Sequence, residues 1–139
     1  MSSEILNAIQ VSASGMRAQG SRIRVITENV ANAGTTASEP GANPYSRQTI
    51  SFTNELDKAS GVKKVEVNEI GRDQKTPFPT KYMPDHPAAN EEGYVKMPNV
   101  NMMLEMMDMK EAQRSYEANL GMIEQSRGMI NQTINLLSN

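Results

Sequence analysis

His86 is the single histidine of the 139-residue chain, and it sits in Pro84-Asp85-His86-Pro87 with Glu91 and Glu92 close behind. An imidazole with carboxylates is a metal-ligand set. Catalytic zinc, however, takes three well-spaced protein ligands and keeps one position open for water. One histidine in a proline-bracketed loop falls short of that and reads as an exposed loop residue, so no metal and no cofactor is expected. Serines are plentiful, but no Gly-x-Ser-x-Gly elbow is present to raise one as a nucleophile. The 16 acidic residues are scattered and no acid/base pair stands out. Cysteine is absent, which excludes thiolate chemistry, disulfides and thiolate metal sites. No catalytic residue is expected, and an enzyme with a loop site around His86 is the weakest of the readings.

Arg17, Arg22 and Arg24 could bind phosphate. With Glu4 and Glu28 on the same segment the balance is only +1, and no aromatic residue interleaves. The formal charge of the whole chain is −2. No nucleic-acid footprint is expected. The methionines say more. Six of 11 fall between residues 97 and 109: Met97, Met102, Met103, Met106, Met107 and Met109. Methionine fills irregular cores and also suits surfaces that must fit several partners. One reading is therefore a soluble chaperone-like or regulatory module that holds a client helix on a Met-rich face.

Positioning such a face requires helices, and proline shows where they can lie. All seven prolines fall between Pro40 and Pro98. Proline inside a helix costs ~3 kcal/mol, so both ends are free to be long helices. Ile9, Met16, Ile23 and Val30 recur every seven residues, with Ile5 and Ile26 on the same face, an a/d pattern. This helix is expected over residues 5–33, ending near Ala33-Gly34. A second series runs Met102, Met106, Met109, Ala112, Tyr116, Leu120, Ile123, Ile130, Ile134 and Leu137. It predicts a helix over about 100–137, ~55 Å long. Between them, Tyr45 to Phe52 and Val62 to Ile70 read as short strands with a hairpin connection over 53–61. Residues 71–98 read as an extended loop with turns at Met83-Pro84-Asp85 and at 90–93.

The expected fold is thus mainly α: two long terminal amphipathic helices pairing as a coiled-coil-like hairpin, with a small irregular β-hairpin and extended-loop insertion between them. The domain division is 1–34 and 99–139 as one helical assembly domain, with 35–98 inserted. Leu, Ile, Val and Phe number 25, about 18% of the chain, which is sparse for a self-sufficient core. Partner subunits are the natural source of further burial. No run approaches the ~20 apolar residues of a membrane span. The N-terminus lacks the basic and apolar regions of a secretory signal, which fits a cytosolic chain or one exported without cleavage.

Two motifs then become recognisable. Ser12-Ala13-Ser14-Gly15-Met16-Arg17-Ala18-Gln19, followed by Ile26 and Asn29-Val30-Ala31-Asn32-Ala33, resembles the N-terminal motif of bacterial flagellar rod and hook proteins. Ala112-Gln113-Arg114-Ser115-Tyr116-Glu117-Ala118-Asn119 resembles their C-terminal motif. Asn43-Pro44-Tyr45-Ser46-Arg47 and the stretch Tyr82 to Asn101 are similar to the proximal rod members of that family. The resemblance implies a structural subunit of the basal-body rod, the drive shaft that transmits torque and encloses the export channel. Its partners would be copies of itself, other rod subunits and the flagellar type III export apparatus, with no nucleic acid and no membrane insertion. It would reside in the periplasm-spanning rod and be exported without a cleaved signal. On this reading Ile5, Ile9, Met16, Ile23, Ile26, Val30, Met102, Met106, Met109, Tyr116, Leu120, Ile123, Ile130, Ile134 and Leu137 serve helix–helix and subunit packing. Asn29, Asn32, Arg114 and Asn119 are family-motif residues expected to fix register.

Overall fold

Freed of proline, the two ends of the chain are helical almost to the limits expected. A computed structural model describes residues 2–138. Met1 and Asn139, the outer bounds of the expected segments, lie outside the described residues. Helix α1 runs Ser2–Ala31 and helix α2 Met102–Leu137. Helix α1 stops slightly earlier than Ala33-Gly34 because Asn32 ends it: its Nδ2 donates to Glu28 O at 2.8 Å, and its Oδ1 accepts from Thr35 Oγ1 at 3.1 Å. Helix α2 starts two residues later than 100 because Asn101 is its cap. The Asn101 Oδ1 accepts from the Met103 and Leu104 amides at 3.1 and 3.3 Å.

The segment between carries more strand than a small irregular insertion. Strands β1 (Gln48–Asp57) and β2 (Val62–Arg72) pair as one two-stranded sheet. Strands β3 (Thr80–Tyr82) and β4 (Tyr94–Lys96) pair antiparallel in another, with Lys81 opposite Val95. The helices take 30 and 36 residues and the strands 10, 11, 3 and 3. The architecture is two long helices with β-hairpins between them. The expected extended loop over 71–98 holds the second hairpin, and β1 continues past Phe52 to the turn at 58–61.

The chain forms two compact units, each drawing on both helices. The first comprises Met1–Ile23, Ser51–Asn68 and Lys110–Asn139. Its interior is lined by small residues: Ser12, Ser14, Ala18, Ala112 and Ser126 are buried. Ser14 Oγ donates to Val11 O at 2.7 Å and accepts from the Val65 amide at 3.2 Å, which ties β2 to α1. Arg22 of α1 reaches Glu111 of α2 at 3.5 Å. A Cβ on Gly15 would lie 2.8 Å from Asn119 Nδ2. These pairs run in opposite order along the two helices, so α1 and α2 are antiparallel in this unit. Small contact residues allow close interaxial approach.

The second unit comprises Arg24–Ile50 and Glu69–Met109. Val25, Ile26, Ala88 and Val95 are its buried apolar residues. Gly93 turns the chain into β4 with φ of 86°, a conformation that disfavours side chains. A Cβ there would also sit 2.8 Å from Tyr82 Cε2. The Tyr82 ring meets Tyr94 edge-on at 5.4 Å between centroids.

The β1–β2 turn is closed by Asp57. Its carboxylate pairs with Lys64 and accepts the Ala59 amide at 2.9 Å. These bonds, the Lys64 one foremost, hold the Asp57 pKa down at about 2. A depressed carboxylate favours the folded hairpin above its unfolded pKa, and that contribution is lost as pH falls through the folded value. The Asp57 carboxyl carbon, followed by NMR, should therefore titrate near pH 2. In Lys64→Ala the midpoint should rise toward the ordinary range near ~3.9.

Candidate assembly site

The second unit is organised around a buried amide. Asn29 is 0% exposed. Its Oδ1 accepts from the Gln48 amide and from Tyr45 Oη, both at 2.8 Å. Its Nδ2 donates to Gln48 O at 3.0 Å and to Glu105 Oε2 at 3.4 Å. A primary amide has two donors and two acceptor lone pairs, so all four capacities are used. Toward Gln48 the side chain acts as a strand neighbour, pairing with both backbone groups at the start of β1.

Glu105 is likewise 0% exposed. Its second oxygen takes Arg47 Nε in an ion pair, and Arg47 Nη2 lies 3.8 Å from Asp108 Oδ2. A buried carboxylate is tolerated only when paired and hydrogen-bonded, and both conditions hold. Arg47 is placed by a second amide. Asn99 Oδ1 accepts the Arg47 amide at 2.7 Å, while Asn99 Nδ2 donates to Asp73 O and Thr76 O at 3.1 and 3.0 Å. The Arg72 guanidinium lies 5.0 Å from the Tyr45 ring centroid. Burial pushes the Tyr45 hydroxyl above its ordinary pKa, more than Arg72 lowers it, and keeps it a donor to Asn29.

On the opposite side of α2 the surface is apolar. Met103 is 74% exposed, Met107 61%, Leu104 56%, Met106 54% and Met102 45%. Farther along α2, in the first unit, Tyr116, Leu120, Met122, Met129, Ile134, Leu136 and Leu137 are exposed too. Of the residues expected to pack, the single chain buries Ile26 and half-buries Ile5, Ile9, Met16, Ile23, Val30, Met109, Ile123 and Ile130. Met102, Met106, Tyr116, Leu120, Ile134 and Leu137 stay at its surface. Of the register residues, Asn29 is buried and Asn119 half-buried beside Gly15, while Arg114 is exposed. Asn32 serves its own helix end.

His86 is not a free loop residue. It is half-buried: Nδ1 accepts the Ala88 amide at 3.0 Å, so Nε2 carries the proton toward Thr36 Oγ1 at 3.1 Å. It pins one loop to another. Among the described residues no group of three or more His, Cys, Asp or Glu is placed to hold a metal ion.

Glu105, Tyr45, Arg47 and Asn99 were missed as a cluster from residue patterns. The available signal was a carboxylate inside Met102-Met103-Leu104-Glu105-Met106-Met107, where a solvated position would not need apolar flanks on both sides.

Asn29→Ala should lower the urea-unfolding free energy by about 2–4 kcal/mol, because Gln48, Tyr45 and Glu105 all lose a partner. Asn29→Asp should be worse, since it sets a second carboxylate against Glu105. Adding Glu105→Gln to Asn29→Asp should recover part of the loss. Gly15→Ala gains ~1 kcal/mol of helix propensity but collides with Asn119. It should be no better than neutral alone, and stabilising when combined with Asn119→Ala.

With this geometry in hand, the chain can be set beside known proteins. Residues 91–136 match the family described as flagellar basal body rod FlgEFG protein C-terminal. The flagellar basal-body rod protein FlgC of Agrobacterium fabrum is 48% identical over 130 residues, covering 94% of this chain and 93% of its own. FlgC of Borreliella burgdorferi is 36% identical over 96% of this chain and 97% of its own. FlgC of Aquifex aeolicus is 41% identical over 84% and 85%. Likeness of this degree, running through both helices and the hairpins between them, establishes that the chain belongs to the flagellar basal-body rod protein FlgC family and is a structural subunit of the rod.

Proposed function

We propose that this subunit polymerises, with copies of itself and with other rod subunits, into the proximal rod that transmits torque and surrounds the export channel. It reaches the rod through the flagellar type III export apparatus with no cleaved signal, acts in the periplasm-spanning part of the basal body, and has no enzymatic role. Among the described residues no helix is long and apolar enough to cross a membrane. In the rod, residues 1–34 and 99–139 act as one mainly α assembly domain, their helices paired as a coiled-coil-like hairpin, with 35–98 as the insertion.

One observation carries this reading: large apolar side chains stand outside while small ones fill the inside. Among the described residues the buried apolar set is Ala18, Val25, Ile26, Ala88, Val95 and Ala112, three of them alanines. Meanwhile Met102, Met103, Leu104, Met106 and Met107 stand exposed on α2 in the second unit, and Leu120, Met122, Met129, Leu136 and Leu137 stand exposed on it in the first. Exposed apolar clusters of this kind mark an interface. The exposed members of the expected packing set, from Met102 to Leu137, then meet neighbouring subunits, and the half-buried members meet the chain's own helix. Asn29, with Glu105 opposite, and Asn119, beside Gly15, fix the register of that pairing. The same Met face would also suit a cytosolic chaperone-like module, and the location of the protein separates the two.

Negative-stain microscopy of basal bodies carrying a labelled copy should place the label in the rod, whereas label confined to the cytosol would sink the rod reading. Met107→Glu should leave the urea midpoint of the purified chain nearly unchanged, within ~0.5 kcal/mol as for surface substitutions, yet prevent rod incorporation and abolish swimming. Ile26→Asp should instead lose the fold itself, by burying an unpaired charge.

A further inference from the structure

The first two turns of α2 concentrate one kind of atom. At about 100° per residue, Met102, Met106, Met103 and Met107 fall within an arc of about 140°. Glu105 lies outside that arc and is fully buried. The four methionines are all exposed, as are the isolated Met122 and Met129 farther along α2, whereas Met16, Met83, Met97 and Met109 are half-buried. For apolar docking alone leucine would serve as well, being close in volume and better defined in rotamer. What the thioether adds is a nucleophilic sulfur, and four are held side by side in water.

We propose that Met102, Met103, Met106 and Met107 form an oxidation site. It acts on the unassembled subunit, and sulfoxide formed there blocks docking of this face. The inference rests on the assembly reading above. The reactant is a two-electron oxidant of the peroxide or hypohalous-acid class. A sulfur lone pair attacks the oxygen of hydrogen peroxide, the S–O bond forms as the O–O bond breaks, and the departing hydroxide takes up the proton to leave as water. With hypochlorous acid the O–Cl bond breaks instead, and chloride and a proton leave. In both cases the sulfur is oxidised by two electrons and the oxidant is reduced by two.

The product differs from its parent where it matters for packing. A sulfoxide is polar and chiral, and it disrupts Met-rich interfaces. Its oxygen is a strong acceptor, and burial against an apolar neighbour would leave it without a donor. With the four side chains on one face, a single oxidised sulfur is enough to spoil the fit. Docking covers the sulfurs, so the reaction discriminates free subunits from incorporated ones. Sulfoxide reductases return the thioether, which makes the block reversible.

The test has two arms. In the first, the purified full chain is treated with dilute hydrogen peroxide and mapped by peptide mass spectrometry. The four residues should gain oxygen about fivefold or more faster than Met16, Met97 and Met109, following their exposure. Equal rates across the chain would overturn the proposal. In the second, cells lacking the native copy express either the wild type or M102L/M103L/M106L/M107L during a sublethal peroxide pulse. Incorporation into purified basal bodies is scored against each strain's own untreated culture. The wild type should lose incorporation and the leucine variant should not, and raised sulfoxide reductase should restore the wild type. Equal losses in both strains, or no loss in the wild type despite mapped sulfoxide, would overturn the proposal. Absence of the wild type from untreated rods would overturn the assembly reading instead, leaving the oxidation map intact.

Discussion

A single buried amide sets the terms for the second unit. Asn29 has no apolar substitute, because its four hydrogen bonds lead to four different groups: the Gln48 amide, the Gln48 carbonyl, the Tyr45 hydroxyl and the Glu105 carboxylate. Remove it and β1 loses the neighbour at its first residue, the phenol loses its acceptor, and the buried carboxylate rests on Arg47 alone. Asn99 repeats the device a short way off, joining Arg47, Asp73 and Thr76. A middle segment too poor in Leu, Ile, Val and Phe to form an apolar core is held instead by side-chain amides that complete backbone hydrogen bonding. Such networks are strong only when every member is satisfied, and these two asparagines use every hydrogen-bonding group they have or nearly so.

The rest of the economy follows from the same scarcity. The first unit packs Ser14, Ala18, Ala112 and Ser126 inside, residues that bury little apolar area but let helix backbones come close. The larger side chains are left outside. In a monomer that distribution would be a liability; in a subunit with neighbours to cover it, the same side chains would supply the burial that the chain does not provide for itself.

Both helices were legible from the absence of proline together with the apolar period, since a proline-free segment that shows a 3.5-residue apolar period has little else to become. Which stripe turns inward was not legible. The second helix has apolar residues on more than one side, and its buried positions in the first unit, Ala112 and Ser126, leave almost no hydropathy signal. The far half of β1 was hidden for a similar reason. Thr53-Asn54-Glu55-Leu56-Asp57 shows no strand pattern of alternating burial because it is exposed on both faces up to Asp57; pairing with β2 makes it a strand. His86 read as exposed because a Pro-bracketed loop usually is, and only the three-dimensional placement of Thr36 gives its ring a second partner.

The polar cluster also answers a problem that the methionines create. In the second unit α2 offers Met102, Met103, Met106, Met107 and Met109 within eight positions. Flexible thioethers fit many holes, so an interface built on them alone would accept α2 slid by a turn in either direction. Glu105 has no such equivalent. One turn toward the C-terminus stands Met109, or the half-buried Asp108, whose side chain is one methylene shorter and already lies 3.8 Å from Arg47; one turn the other way stands Met102 or Asn101. Any of the apolar alternatives would leave the Asn29 amide short of an acceptor and the Arg47 guanidinium without its buried partner, a cost of several kcal/mol for an uncompensated charge. The Glu105–Arg47 ion pair by itself contributes little net stability beyond what two apolar side chains would give; what it and the Asn29 amide supply together is register. They exclude the other registers, which is the property a subunit needs if one fixed geometry is to be repeated along a shaft.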